Sequence, residues 1–260
     1  MCSAIAVNAP VGVMDSGVGG LSVLQHLTRQ LPHEHLIYFA DSAHAPYGNK
    51  TATEIQQRCF TIADTLIGHG AKALVVACNT ATAAAISAMR ERYTLPIIGM
   101  EPAVKPAAAA SKNGIIGVLA TTGTLKSAQF AALLEHYGQG VQVVTQACVG
   151  LVECIEQGQL DTPQTLALLQ QYCQPLMAAG ADTIVLGCTH YPFVKKHIQE
   201  IVGPEVTLID TGAAVAKRLH QVLEQKQMLN PATEAGDFVF LNSGTKDTQR
   251  VMQQLWIHSN

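Results

Sequence analysis

The chain has little charge and few aromatic side chains. Only 13% of its 260 residues are charged and 5% are aromatic, while 48% are hydrophobic. This composition predicts a compact core and excludes a disordered protein. The formal net charge is −3, and no cluster of Lys and Arg offsets it, so the sequence offers no basic surface for nucleic acid.

Three further absences narrow the class of protein. No apolar run is long enough to span a membrane, and residues 1–10 lack the positive charge that precedes the apolar stretch of a secretory leader. The seven cysteines are an odd number and include no CxxC pair, which argues against a disulfide framework and against a zinc ribbon. We therefore expect a reduced, cytoplasmic protein that binds neither membrane nor nucleic acid.

Short apolar runs alternate with helical patterns along most of the chain, starting with a strand over Val11–Met14 and a helix over Leu21–Gln30. Such alternation is typical of parallel sheets covered by helices on both faces. We expect an α/β fold of two pseudo-symmetric three-layer domains with mainly parallel sheets and an active site in the cleft between them. Residues 1–100 plus 210–260 would form the first domain, and residues 101–209 the second.

One sequence context occurs twice, at an offset of 110 residues, over Gly70–Cys78 and Gly180–Cys188. In each copy an apolar run predicts a buried strand that stops at the cysteine, and a polar pair follows, Asn79-Thr80 or Thr189-His190. The carboxyl end of a strand, beside a helix N-terminus, is where open α/β sheets bind ligands. The repeat therefore predicts one site shared by two similar halves.

A second, weaker repeat also supports two similar halves, because Asp15-Ser16-Gly17 and Thr121-Thr122-Gly123 each follow an apolar strand ahead of the cysteine motif.

Two thiols on opposite faces of one carbon can remove a proton and return one from the other side. This is the chemistry of a racemase or epimerase, and it needs no metal or cofactor if the site stabilises the carbanion. Hydroxyls and helix N-termini would bind carboxylates, and Asp15 would bind an ammonium group.

Other interpretations remain open for the same residues. The cysteines could be structural members of the core, as free cysteines often are, and the protein a non-catalytic binder of amino acids. Cys78, Cys188 and His190 could ligate zinc, but a fourth ligand is not evident, and we expect no metal. A thiol phosphatase needs C-x5-R, whereas Ala84 and Val194 occupy the arginine positions.

Four segments resemble the signature segments of bacterial glutamate racemase, in the family's order and spacing. They are Asp15-Ser16-Gly17-Val18-Gly19-Gly20, Pro46-Tyr47-Gly48, Cys78-Asn79-Thr80-Ala81 and Gly187-Cys188-Thr189-His190-Tyr191-Pro192. The resemblance implies cofactor-independent interconversion of L- and D-glutamate, the latter for peptidoglycan precursors. An aspartate racemase of similar design is the nearest alternative, although Ala81-Thr82 and His190 favour glutamate. The family also implies a homodimer.

The resemblance assigns roles to individual residues. The catalytic pair would be Cys78 and Cys188, helped by Asp15 and His190. Glu153 would be a third helper, and Thr122 a further substrate contact. The expected substrate contacts are Asp15, Ser16, Tyr47, Gly48, Asn79, Thr80, Thr121, Thr189 and His190. We expect the five remaining cysteines, at positions 2, 59, 148, 154 and 173, to be unpaired bystanders.

Overall fold

A computed structural model describes residues 6–258; Cys2 lies outside them. The described chain forms nine strands: β1 (Val11–Asp15), β2 (Leu36–Ala40), β3 (Ala73–Val76), β4 (Ile97–Ile98), β5 (Ile115–Ala120), β6 (Gln142–Ala147), β7 (Thr183–Leu186), β8 (Thr207–Ile209) and β9 (Phe238–Asn242). Its α-helices are α1 (Leu21–Gln30), α2 (Ala52–Gly68), α3 (Asn79–Arg92), α4 (Val104–Ala110), α5 (Thr122–Leu125), α6 (Ala128–Tyr137), α7 (Leu151–Glu156), α8 (Pro163–Ala178), α9 (Lys195–Val202), α10 (Gly212–Gln225) and α11 (Lys246–His258). Short 3-10 turns cover Ser42–His44, Tyr47–Asn49 and Tyr191–Val194.

The strands form two parallel sheets with equivalent topology. The first has the order β4-β3-β1-β2-β9, and the second, taken from its other edge, has the order β8-β7-β5-β6. All seven strand pairs of the two sheets are parallel. Superposing the orders matches β3 with β7, the two strands that precede Cys78 and Cys188, and leaves β9 as the extra strand of the first sheet. The expected α/β class is confirmed.

Helices cover both faces of each sheet, because the strands are apolar on both faces. In the first sheet, Met14 and Val76 pack against α2 and α3, whereas Val13 and Val75 share a cluster with buried residues of α1 and α10. In the second sheet, α4 and α6 lie in one core cluster and α8 and α9 in another. One cluster contains residues of both sheets, so the two halves pack as one body.

The helix boundaries follow from capping residues. Thr51 and Glu54 form a reciprocal capping box at the start of α2, and Thr162 caps α8 ahead of Pro163. The predicted strands and helices agree with the structure to within a few residues at their ends. Helices α5 and α9 were not predicted from the sequence, and they have only four and eight residues. Among the described helices, none is long and apolar enough to cross a membrane.

Candidate active site

The two cysteines occupy equivalent places at the carboxyl ends of β3 and β7. Cys78 is the N-cap of α3, and its Sγ accepts a hydrogen bond from the Ala81 amide at 3.4 Å. Cys188 follows Gly187 at the end of β7. Both are buried, with 5% and 7% of their surface exposed. Burial, followed by the charge of Asp15, raises the pKa of the Cys78 thiol well above its usual range, and the charge of Cys188 contributes in the same direction.

Asp15 ends β1 and joins the two halves of the site. Its Oδ1 accepts the Gly17 amide at 2.9 Å, and its Oδ2 accepts the Thr189 hydroxyl at 3.1 Å. Burial raises its pKa from 3.8 to about 6, although the positive charge of His190 and the bond from Gly17 oppose the rise. Asp15 therefore lies within reach of protonation near neutral pH.

A chain of side chains lies behind Cys188. Its Sγ is 3.6 Å from His190 Nδ1, and His190 Nε2 is 2.6 Å from Glu156 Oε1. Burial lowers the pKa of His190, but the hydrogen bonds with Cys188 and Glu156 outweigh it and leave that pKa well above its usual range. The arrangement favours an imidazolium between a carboxylate and a sulfur, which is the setting that stabilises a thiolate.

Glu156 was not predicted from the sequence. The predicted acid, Glu153, lies three residues earlier on the same short helix, α7, and its charge acts on Tyr172. Residues three apart lie on neighbouring parts of one helix face. The sequence therefore predicts an acid on this helix but does not distinguish Glu153 from Glu156. Of these two acids, Glu156 contacts His190.

The glycine-rich turn after β1 packs directly on this chain. A Cβ built on Gly17 would lie 1.8 Å from Glu156 Oε1, and one on Gly19 would lie 2.3 Å from His190 Nδ1. Both distances are far below van der Waals contact, so a larger residue at either position would force the Glu156 carboxylate or the His190 ring to move. The Val18 amide uses this close approach to donate to Glu156 Oε1 at 2.7 Å.

The loop that carries Tyr47 and Gly48 reaches the second half. The Tyr47 hydroxyl donates to Asp41 Oδ2 at 2.6 Å, which holds the loop against the first half. A Cβ on Gly48 would lie 3.0 Å from Thr121 Cβ. Tyr47 therefore fixes the loop through its hydroxyl, and the glycine after it allows the loop to touch the second half.

Hydroxyls converge where α3 meets α5. Thr80 Oγ1 is 2.8 Å from Thr121 Oγ1 and 3.1 Å from Thr124 Oγ1, a residue that the sequence analysis did not name. Thr122 is the first residue of α5, which Thr121 caps.

Asn79 is buried at the start of α3, and both polar atoms of its side chain lack a hydrogen-bond partner. Buried polar atoms need partners, so this amide is suited to meet a polar ligand.

The remaining expected residues lie at the same place. The Ser16 hydroxyl is 3.7 Å from Cys78 Sγ, and Thr189 accepts the Ser22 hydroxyl through its carbonyl at 2.8 Å. The described part of the chain contains no group of three or more His, Cys, Asp or Glu arranged to hold a metal ion. The four other described cysteines are free and buried: Cys59, Cys148, Cys154 and Cys173.

Comparison with known proteins identifies the family. A family model described as Asp/Glu/Hydantoin racemase matches residues 11–219. The chain is 61% identical to a glutamate racemase of Ectopseudomonas mendocina over 222 residues, which are 85% of this chain and 84% of that protein. It is 54% identical to a glutamate racemase of Pseudomonas aeruginosa over 250 residues, which are 96% and 94% of the two chains.

Solved structures agree with the sequence relatives. The crystal structure of glutamate racemase isoform RacE1 from Bacillus anthracis has a TM-score of 0.87 and 34% identity, covering 96% of this chain and 94% of that one. A glutamate racemase from Francisella tularensis in complex with D-glutamate has a TM-score of 0.83 and 30% identity, covering 96% and 94%. The chain belongs to the Asp/Glu/Hydantoin racemase family. The resemblance found in the sequence is thereby confirmed, and the protein is an enzyme of the isomerase class.

Proposed function

We propose that the chain interconverts L-glutamate and D-glutamate by proton transfer between the substrate α-carbon and two thiols, without a cofactor. The observation that carries the proposal is the equivalent placement of Cys78 and Cys188 at the ends of β3 and β7, in two sheets of the same topology. The substrate follows from the relatives named glutamate racemase and from the neighbour solved with D-glutamate.

The surroundings of the two thiols suit opposite roles in the resting enzyme. The raised pKa of Cys78 keeps this thiol protonated and ready to donate. Cys188 Sγ lies 3.6 Å from Nδ1 of His190, whose raised pKa favours the imidazolium form, so a donor faces this sulfur. In this state Cys188 would take the α-proton of L-glutamate and Cys78 would return a proton on the other face. After one turnover the charges are reversed, which prepares the enzyme for D-glutamate.

The remaining site residues would hold the substrate and the carbanion. Asp15 would bind the ammonium group, and the free amide groups at the start of α3, at Asn79 and Thr80, would bind a carboxylate. The Asn79 side chain would gain the partners that it lacks. Ser16, Tyr47, Gly48, Thr121, Thr122, Thr189 and His190 complete the wall. Donors fixed before the reaction stabilise the carbanion most effectively, because they do not have to reorganise.

The decisive experiment is incubation with L-glutamate in heavy water after exhaustive chelation and dialysis. We expect D-glutamate to form with deuterium at the α-carbon, and full activity without any addition. Activity that returns only with a metal or with pyridoxal phosphate would refute the two-thiol mechanism. L-aspartate, assayed in parallel, tests the alternative substrate; faster turnover of aspartate would favour that reading. Binding without deuterium uptake would indicate a non-catalytic amino-acid binder.

The roles of the two thiols are separable only in an irreversible reaction. Racemisation has an equilibrium constant of unity by symmetry, so kcat/KM is equal in both directions for every variant. A glutamate with chloride on its β-carbon avoids this limit, because removal of the α-proton expels chloride and leaves an enamine that water converts to 2-oxoglutarate and ammonia. By resemblance, Cys78→Ser should process only the L-form and Cys188→Ser only the D-form. Variants that accept both enantiomers equally would disprove the assignment.

Substrate binding is testable apart from catalysis. A ligand at about 100 times its dissociation constant stabilises the folded state by about 2.7 kcal/mol. We expect D-glutamate to raise the melting temperature of the Cys78→Ser, Cys188→Ser double variant nearly as much as that of the parent. An unchanged melting temperature in both proteins, with activity intact in the parent, would argue against a substrate clamped between the halves.

We further propose the setting of this activity. The product D-glutamate would supply peptidoglycan precursors, as the resemblance implies, and the free cysteines favour a reducing cytoplasm. The domain division stays as predicted: residues 1–100 plus 210–260 form the first domain and residues 101–209 the second. This division is supported by the return of β9 to the first sheet. Limited proteolysis that released a stable fragment with other boundaries would contradict it.

A homodimer is the proposed assembly. In its support, β9 is an edge strand whose Phe238, Val239 and Phe240 are 40%, 46% and 38% exposed. Exposed apolar edge strands tend to pair with another chain. Light scattering should give twice the monomer mass, and Val239→Lys should reduce it. A monomeric parent at micromolar concentration would refute the assembly.

A further inference from the structure

The loop after β2 reaches across the site to Glu156, the acid that contacts His190. Ser42 begins the first 3-10 turn of this loop, and its hydroxyl donates to Glu156 Oε2 at 3.1 Å. Ser42 belongs to the strand-β2 side of the molecule, whereas Glu156 ends α7, which follows the second sheet's β6. This hydrogen bond therefore connects the two halves directly behind His190.

The two oxygens of Glu156 have different partners. Oε1 binds His190 Nε2 at 2.6 Å and accepts the Val18 amide at 2.7 Å, while Oε2 accepts the Ser42 hydroxyl. The carboxylate is nearly buried, with 12% of its side chain exposed. A carboxylate held through both oxygens cannot rotate freely, so the partner of Oε2 helps to fix the direction in which Oε1 meets His190.

Ser42 is itself held firmly by its neighbour Asp41, a buried carboxylate. Asp41 binds the Arg58 guanidinium through two hydrogen bonds of 2.9 Å and accepts the Ser243 hydroxyl at 2.7 Å. Ser243 Oγ in turn accepts the Ala43 amide at 3.2 Å. The backbone on both sides of Ser42 is thus anchored to α2 and to the turn after β9, and the hydroxyl meets Glu156 from a rigid base.

We propose that Ser42 is a positioning residue for the Cys188 side of the site: it orients Glu156, which orients His190 toward Cys188. The proposal rests on the proposed function. Without the hydroxyl, Glu156 loses the donor to Oε2, and His190 is held less firmly at its distance from the sulfur. Proton transfer at Cys188 then becomes slower. Cys78 contacts Ser16 and the Ala81 amide instead, so proton transfer at Cys78 is unaffected.

The test compares the two half-reactions in Ser42→Ala. Elimination of chloride from each enantiomer of β-chloroglutamate is followed through the 2-oxoglutarate formed. The enantiomer that Cys78→Ser still processes reports on Cys188. We expect its kcat/KM to fall about tenfold, as for loss of one hydrogen bond to a charged group, with the other enantiomer changed less than about twofold. Equal losses for both enantiomers would show that Ser42 only supports the loop and would overturn the proposal.

Three further variants sharpen the result. Ser42→Thr keeps the hydroxyl and should restore the lost half-reaction. Ser42→Cys, which has nearly the same size but is a weak donor, repeats the test if the alanine variant does not fold. In a Glu156→Gln background, Ser42→Ala should add little further loss, because both changes act through one contact. Additive losses in this double-mutant cycle would contradict the proposal.

Ser111→Ala is the matched control. Its hydroxyl also donates to a carboxylate, Asp182 Oδ1 at 2.7 Å, but this carboxylate has no contact with His190. Both half-reactions should stay at the parental rate. A parent protein that does not racemise glutamate would refute the proposed function. A parent that does so, with a Ser42→Ala variant indistinguishable from it, would refute only the role of Ser42.

Discussion

Gly19→Ala tests the packing of the glycine-rich turn against His190. The added Cβ would lie 2.3 Å from His190 Nδ1, 2.6 Å from His190 Cε1 and 2.6 Å from Thr189 Oγ1, where ordinary contacts begin at 3.4 Å. Either the turn or His190 must therefore move by about 1 Å, and a misplacement of about 1 Å in an active site can cost about 100-fold in rate. Overpacking would also destabilise the fold by about 1–3 kcal/mol.

The assay measures kcat/KM for racemisation by optical rotation, together with urea unfolding. Gly68→Ala is the matched control, since nothing lies within 4 Å of its added Cβ, at the end of α2. This control should keep full activity and stability. A Gly19→Ala variant with kcat/KM within threefold of the parent would show that the turn yields without disturbing His190, and the reasoning from close packing would then be wrong.

Four further outcomes follow from two carboxyl groups with shifted pKa values, from a buried ion pair and from the Tyr47 hydroxyl. Burial raises the pKa of Asp15 to about 6 in the folded state, so the ionised carboxylate destabilises the fold above that pH. Asp15→Asn should therefore raise the free energy of unfolding at pH 8 by up to about 3 kcal/mol. In urea titrations this gain should vanish below about pH 4, where the carboxyl group is protonated in both states. At Asp182, hydrogen bonds outweigh burial and lower the pKa to about 2. Asp182→Asn should therefore lower the free energy of unfolding at pH 8, and this effect should disappear as the pH falls toward 2. A change of the same sign in the unfolding free energy of both variants would contradict both pKa assignments. Lys72→Met leaves Glu34, its fully buried partner at 2.6 Å, unpaired and should lower the free energy of unfolding by about 3–5 kcal/mol, whereas the double variant Lys72→Met, Glu34→Gln should recover part of it. Tyr47→Phe removes a buried hydrogen bond and should lower stability by about 1 kcal/mol in the same titrations, with a higher KM for glutamate because the loop loosens; an unchanged KM would separate Tyr47 from substrate binding.

Most of the fold was predictable from the sequence, because its strands are short apolar runs with clear boundaries. The helix α1 agrees with its predicted bounds, Leu21–Gln30, and the capping box at Thr51 fixes the start of α2. The helix α9 was not predicted because it is short and begins directly after a 3-10 turn that contains Pro192. Its position is set by packing of Ile198 and Val202 on the core, a tertiary effect that local patterns do not show.

The candidate site was predicted where residues lie in the repeated strands or in the segments that carry the family resemblance, and it was missed elsewhere. Cys78 and Cys188 were found because each ends an apolar run of the same form. Glu156 and Ser42 have no such context, since their relevance arises from contacts over 34 and 114 residues of sequence. Only the packing of α7 and of the loop after β2 brings Glu156 to His190 and Ser42 to Glu156.

The position of β9 has a consequence for the order in which the molecule can fold. All strands of the second sheet come from one continuous stretch, from Ile115 to Ile209. In the first sheet, however, β2 pairs with β9, so Leu36 must find Phe238 far along the chain. During synthesis of the chain, the second sheet can form completely before β9 is available. In that period β2 remains an edge strand of the first sheet with unpaired backbone groups. Closing that edge is a contact of very long range, which is slow and leaves time for mispairing. We therefore expect aggregation during expression to depend on how soon residues 238–242 become available after β2 has formed.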